Sequence, residues 1–521
     1  MKFRSGVTAA LAVGALGTLG VAGVAQANHG SDHGSDLPLE TLADYTPFAR
    51  FSPLPTSASC VSGGNFAQPF VIPPGYRQDI VAQEPEGGTK DLWDMNTQNE
   101  SGTDKGRFIF RTHEVGAALD TQTTEQQEQN GGQVSVTDLR TDQTRVLAER
   151  RDFERFDGIV WTPQETILAA EETTKSAAPD PQVPQAQGGL VYEFFVNRDD
   201  PSRLDPAREP IAADAGGDPS SGPLVDGTTD RTPDGIRARP AVGSKAHEGM
   251  RFDKNSGFLY GISEVNGGAV YRFVPDRKGD LSTGELQALK TPDGRNGEGV
   301  WLPLDRASVQ VDADASARAA GANGYMRPED LETSTSTGRD RNNGQQTVYF
   351  AETGAGFSPS TNGGDGTGNV IAIDTQDNTR PFVYPYAGPQ AGNTPPGSGF
   401  QSPDNLALDH EGNLAIAEDP GGNFPAKNRG DDVFIAKPPK GGQHQPAETV
   451  QRFASLTDCD AEPTGIYFSG QENDIPRGGQ TVRTTRETLF VDQQHAGSGR
   501  APDKLIAITP VDQKRGSTNG R

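Results

Sequence analysis

Cysteine, aromatic rings and long apolar runs are all scarce in this chain. Only two cysteines occur in 521 residues, Cys60 and Cys459, and no Cys-x-x-Cys pair is present. That argues against a thiolate zinc site. Hydrophobic residues make up 32% and aromatic residues 7%, while Gly and Pro number 64 and 39. This is little apolar material for a helical protein and suits many short strands joined by turns. The charged residues lie interspersed among apolar runs, which argues against wholesale disorder. Basic charge is scarce too: 47 Lys and Arg stand against 71 Asp and Glu, a net charge of −24. So acidic a chain should not bind nucleic acid nonspecifically. It suits hard cations held through oxygen ligands, and an acidic surface kept for solubility is the plainer alternative. Neither a Gly-x-Ser-x-Gly elbow nor a Walker-type glycine loop is found.

One apolar run does occur, at the N-terminus. Lys2 and Arg4 precede an Ala/Val/Leu/Gly stretch, and Ala25-Gln26-Ala27 forms a small-x-small cleavage site. Residues 1–27 read as a signal peptide, which predicts a secreted chain with no membrane span after cleavage. Removing them takes away those two basic residues and no acid, so the mature charge falls from −24 to −26. This N-terminal segment lacks a twin arginine, which points to the general export route. In an exported protein an even cysteine count suggests one disulfide, Cys60–Cys459, tying the start of the fold to its end.

The most informative feature is an internal repeat. In "HEGMRFDKNSGFLYGISEVNGGAVYRFV", residues 247–274, an acid (Glu248) precedes a short strand. A turn follows, then a second strand ending on an acid (Glu264), then a third strand. The same order recurs with Asp404 in front and Glu418-Asp419 behind, and with Glu329 and Glu352. It recurs again with Glu462 and Gln494-His495, and with Asp157 and Glu171-Glu172. A looser copy runs from "DLWDMNTQ" to His113-Glu114. The first acids stand roughly 60 to 90 residues apart, and a fourth strand is often suggested. Four-stranded units repeated around an axis predict an all-β fold, a six-bladed β-propeller with long loop insertions. A seven-bladed propeller or a two-domain β sandwich is the alternative. The expected organisation is a signal peptide at 1–27, an N-terminal extension at 28–70, the propeller at 71–510 with a polar insertion near 198–245, and a tail at 511–521.

A lone Asp or Glu at a strand end is usually a solvated turn residue. Six at one register in a propeller would instead ring the central channel. Their repulsion would raise one another's pKa, and cations bound through oxygen would relieve it. Arg327, in "MRPED", is either a salt-bridge partner or a fork for phosphate or carboxylate.

At these residues the chain resembles the PhoX-type alkaline phosphatases, secreted bacterial enzymes, from about Gly75 to Ile508. The resemblance is carried by "THE" at 112–114, "TILAAEE" at 166–172, "HEGMRF" at 247–252, "YRFV" at 271–274 and "RPED" at 327–330. It continues in "SPDNLALD" at 402–409, "AED" at 417–419 and "LFVDQQHAG" at 489–497. It implies hydrolysis of small phosphate monoesters at calcium and iron held by acidic side chains at the channel mouth. The implied ligands are Glu114, Glu171, Glu172, Glu248, Glu264, Glu329, Asp404 and Asp419, with Arg327 on the phosphate. His113, His247, Arg272, Asn405 and His495 are candidates for substrate contact or for support around the ligands. A monomer is expected.

The chain also departs from the family pattern. The cysteine that precedes the Glu-Glu pair there and bridges two irons is Ala170 here, and Arg272 stands where lysine is usual. Calcium needs only oxygen ligands, so calcium binding should survive while iron binding weakens. The alternatives to a phosphatase are a catalytically degenerate, calcium-binding propeller that holds a ligand or partner, and a calcium-dependent lactonase.

Overall fold

Alternation along the strands decides where each side chain goes. In Ile167–Glu171, Ile167 and Ala169 pack with Phe110 and Tyr192, while Leu168 and Ala170 pack with Met250 and Phe252 in the neighbouring core. A strand buried on both faces reads as an unbroken apolar run, because successive side chains serve two different cores. The same holds in Leu414–Glu418, where Ala415 and Ala417 face one core and Leu414 and Ile416 another.

The structure is a computed structural model. It describes residues 48–511 apart from 85–91, 116–131, 151, 175–179, 181, 210–233, 335–345, 355–367, 394–399, 421–428, 470–472, 478–479, 485–486 and 498–500. The segments expected as signal peptide, most of the N-terminal extension, the middle of the polar insertion and nearly all of the C-terminal tail lie outside the described residues. No helix among the described residues is long and apolar enough to cross a membrane.

Six antiparallel sheets form the six blades of a β-propeller. Their inner strands are Trp93–Gln98, Phe156–Trp161, His247–Phe252, Pro328–Thr333, Pro403–Leu408 and Glu462–Ser469. Each packs against the next, and the last meets the first, so the ring closes. Closure uses both ends of the chain. Tyr76–Gln83 pairs with Lys504–Pro510 as the outer strand of the sixth blade. Phe70–Val71 adds an edge strand to the fifth. Cys60 and Cys459 form a disulfide 399 residues apart in sequence, with Cα atoms 5.1 Å apart. Cys459 lies between the fifth and sixth blades, so the bond anchors the N-terminal segment beside that junction.

One helix, Ala313–Ala320, was not legible in the repeat. Asp312 caps it by accepting from the Ala315 N–H, and Gly321 ends it in a left-handed turn. Asp314 accepts from Ser263 Oγ at 2.7 Å and Tyr271 Oη at 2.6 Å, which fastens the helix to the third blade.

Candidate active site

β-Bulges set the direction of the channel acids. The inner ladder slips between Trp93 and Asn96, Phe156 and Ile159, His247 and Met250, Pro328 and Leu331, and Pro403 and Leu406. The first residue inside these slips is Asp94, Asp157, Glu248, Glu329 and Asp404 respectively. A bulge takes one residue out of the ladder and re-aims its side chain. Here the five side chains meet. Carboxylate oxygens of Glu248, Glu329 and Asp404 lie within 4.8 Å of one another. Asp157 is hydrogen-bonded to both Glu248 and Asp94.

The sixth blade breaks the expected register. Its bulge lies between Thr464 and Tyr467, and Glu462 sits on the regular ladder opposite Gln494. Glu462 therefore does not share the bulge position of the other five acids. It still joins the cluster from three residues upstream of Gly465, hydrogen-bonded to Asp419.

A second, half-buried tier comes from the residue just after the second strand: Glu114, Glu172, Glu264 and Asp419. In the fourth blade this place is taken by Thr353, whose hydroxyl donates to Glu329 Oε1 at 2.7 Å. The backbone N–H of each second-tier residue donates to the carbonyl two residues before the channel acid. These bonds run from Glu114 to Leu92, Glu172 to Arg155, Glu264 to Ala246, Thr353 to Arg327 and Asp419 to Ser402, at 2.8–3.2 Å. Four of those acceptors are non-glycine residues at positive φ: Leu92 (64°), Arg155 (39°), Arg327 (49°) and Ser402 (42°). Left-handed backbone at one repeat position in four blades is strain held in place by its surroundings, which is a mark of functional sites.

Adjacent acids divide the work. Glu171 points into its own blade, where its carboxylate accepts from the N–H groups of Glu154 (2.9 Å) and Leu190 (3.0 Å). Glu352 accepts from Met326 N–H at 2.9 Å and pairs with Arg295. Glu418 accepts from Gln401 N–H at 2.7 Å and pairs with Arg429. Glu154, Met326 and Gln401 each stand immediately before a strained residue. These glutamates thus hold the turn that delivers the channel acid. Glu171, expected as a metal ligand, is not brought together with the others, whereas Glu172 is.

Two arginines hold the second tier. Arg327 Nε donates to Glu264 Oε1 at 3.0 Å, and Nη2 lies 3.2 Å from Glu329 Oε1. Arg155 Nη2 bonds Glu114 and lies 2.8 Å from Glu172 Oε2. Glu172 and Glu264 are hydrogen-bonded to each other, so the two arginines flank one linked carboxylate pair.

The buried acids hold their protons tightly. Burial first, and then the neighbouring carboxylates, push Asp94, Glu248, Glu329, Asp404 and Glu462 well above the usual carboxylate range. Asp157 is pushed up to about 8, by burial and then by Glu114. In contrast Glu264 stays below its usual value: burial raises it, but the bonds from Glu172 and Arg327 outweigh that. A pocket of carboxylates that cannot all ionise alone is chemically suited to a cation.

The remaining candidates are placed as follows. Asn405 Nδ2 donates to Asp404 Oδ1 at 2.7 Å, and its Oδ1 accepts from Gly465 N–H, so it steadies the cluster across two blades. His495, itself at positive φ (58°), lies 3.3 Å from Glu462 Oε1 at the half-exposed rim. His113 is buried against Ser135 Oγ at 2.9 Å and His247 against Gly243 O at 2.9 Å. Arg272 bonds Gln287 and Asn378 and lies over the Trp301 ring. These contacts of His113, His247 and Arg272 are to groups other than the channel acids. Sequence reasoning missed Asp94 and Arg155 altogether and left Asp157 out of the ligand set. One signal was available: "RFD" at 155–157 has the same Arg-x-acid spacing as "RPE" at 327–329.

Comparison with known proteins bears on what such a cluster is for. The alkaline phosphatase PhoX family matches residues 161–497. No curated protein matches. Among solved structures, Pseudomonas fluorescens PhoX in complex with vanadate, a transition state analogue, is similar at 17% identity and TM-score 0.53. The match covers 88% of this chain and 98% of that one. A Xanthomonas campestris gluconolactonase matches at 11% identity over 88% and 99% of the two chains, with a TM-score of 0.36. A soluble aldose sugar dehydrogenase from Escherichia coli matches at 10% over 84% and 100%, with a TM-score of 0.37. The last two are too loose to bear on function, and at 17% identity the first speaks for the propeller. The family match does more, because it spans the Glu-Glu, His-Glu, Arg-Pro-Glu and Gln-His segments that line the channel: this chain belongs to the PhoX alkaline phosphatase family.

Proposed function

We propose that this protein is a secreted, metal-dependent phosphatase that hydrolyses small phosphate monoesters at the carboxylate cluster of its channel. The observation that carries the reading is the convergence of Glu248, Glu329 and Asp404 within 4.8 Å, with Arg327 seated on Glu329.

The donor set fits a hard cation such as calcium. All the donors are carboxylate oxygens, and Asp157 Oδ1 is buried with no donor from outside the acid cluster. Glu248, Glu329 and Asp404, with Asp94 and Asp157 behind them, would hold it. A second group, Asp419 and Glu462, lies beside them. A thiolate-bridged iron pair does not fit. Ala170 offers no donor atom, and both cysteines are joined in the disulfide. When bound, the metal would polarise the phosphoryl oxygens and lower the pKa of a water.

The chain's own groups do the rest. Arg327 presents a fork that matches two non-bridging phosphate oxygens. Its bonds to Glu264 and Glu329 fix that fork beside the cluster before substrate arrives. Hydrolysis then adds a water oxygen to phosphorus, breaks the bond to the ester oxygen and returns a proton to the departing alcohol.

Purified, natively exported protein loaded with calcium should release p-nitrophenol from p-nitrophenyl phosphate, and chelation should stop it. Elemental analysis of the same sample should find calcium. Absence of turnover with calcium, iron, manganese and zinc alike would sink the reading.

A further inference from the structure

We propose that Arg155 is a second phosphate-positioning residue, which closes with Arg327 on the substrate phosphoryl group from the opposite side. The idea deepens the phosphatase reading and rests on it. Arg155 stands two residues before Asp157 as Arg327 stands two before Glu329, at the same place in the repeat. Both take left-handed backbone, at φ 39° and 49°. Both carbonyls accept from a second-tier N–H. Each guanidinium spans two carboxylates: the second-tier Glu114 and Glu172 for Arg155, and the second-tier Glu264 with the channel acid Glu329 for Arg327. Between them lies the hydrogen-bonded pair Glu172–Glu264.

Neither guanidinium is sealed in. Their side chains remain 42% and 34% exposed, whereas Glu329 is 3% exposed. Each fork therefore has an open side at the half-buried tier, above the deeper carboxylates. With Arg327 matching two non-bridging oxygens, a monoester, which has three, leaves one for Arg155, and a diester, which has two, leaves none, so the pair favours monoesters.

The test uses inorganic phosphate as the probe on calcium-loaded full-length protein, by calorimetry, with calcium measured in every sample. Arg155→Ala should keep its calcium and bind phosphate roughly 10- to 100-fold more weakly, as expected for the loss of a charge-assisted bond. Arg155→Lys, which keeps the charge but not the fork, should fall between. Added guanidinium should partly restore turnover of p-nitrophenyl phosphate by Arg155→Ala. The preference for that monoester over bis-p-nitrophenyl phosphate should narrow in the same variant. Unchanged phosphate affinity in Arg155→Ala with calcium retained would overturn the proposal. So would calcium loss in both variants, which would make Arg155 a brace for the metal ligands. Phosphate binding that weakens in Arg155→Ala, in a wild type that hydrolyses nothing, would uphold the clamp and end the phosphatase reading. A wild type that binds no phosphate would end both.

Discussion

Glu171 and Glu172 are adjacent in sequence and have separate tasks. Glu172 meets Arg155 and Glu264 at the channel. Glu171 turns back and accepts two backbone N–H groups. An amide at position 171 could accept one of these bonds but would present its own N–H to the other. Glu171→Gln should therefore destabilise the fold by about 1–3 kcal/mol, the cost of a buried donor left unpaired, while bound calcium stays constant. Urea denaturation and metal analysis of the one variant check both halves. Calcium loss without destabilisation would return Glu171 to the ligand set. A sequence shows two neighbouring carboxylates and cannot say which face each takes. That choice is made by where Glu154 and Leu190 bring their N–H groups, and both contacts depend on the folded blade.

At the scale of the element, the strand order of each blade was legible because its cause is local. Apolar runs, turn residues and the recurring acid all lie within one repeat. The bulges were not legible, although they left a trace. Gly158 and Gly249 each follow a channel acid inside a strand, where glycine marks a bulge or a close approach of backbone. At Gly158 a Cβ would stand 2.1 Å from Glu248 O, in the neighbouring blade. Gly158→Ala must then push the second and third inner strands apart, at a cost of about 1–3 kcal/mol, typical of overpacking. Because the displaced carbonyl belongs to Glu248, metal affinity should fall together with the melting temperature. A variant that melts lower yet binds calcium as before would show that the bulge tolerates the shift. The sixth blade explains the register error: Glu462 sits three residues before Gly465, and only the position of the bulge separates its place from that of the other five acids.

Across the whole molecule, the ring brings residues from six blades into one acidic pocket, and its stability should therefore depend on pH and metal together. Asp94, Asp157, Glu248, Glu329, Asp404 and Glu462 all hold protons more tightly in the metal-free fold than carboxylates usually do. The folded state then binds more protons than the unfolded state over the range between ordinary carboxylate values and the raised ones. Under that condition the unfolding free energy falls as pH rises. The loss begins near about pH 4, where unfolded carboxylates titrate, and continues through about 8, the value to which Asp157 is raised. A bound cation replaces those protons as the partner of the carboxylates, so it should stabilise most where they are ionised. Chelator-treated protein should melt at progressively lower temperature between about pH 5 and about pH 9, and calcium-loaded protein should change little. The gap between the two curves should widen with pH, as thermal melts in matched buffers would show. Curves that stay parallel would mean that Arg155 and Arg327 already neutralise the pocket, leaving no unpaired charge for a metal to relieve.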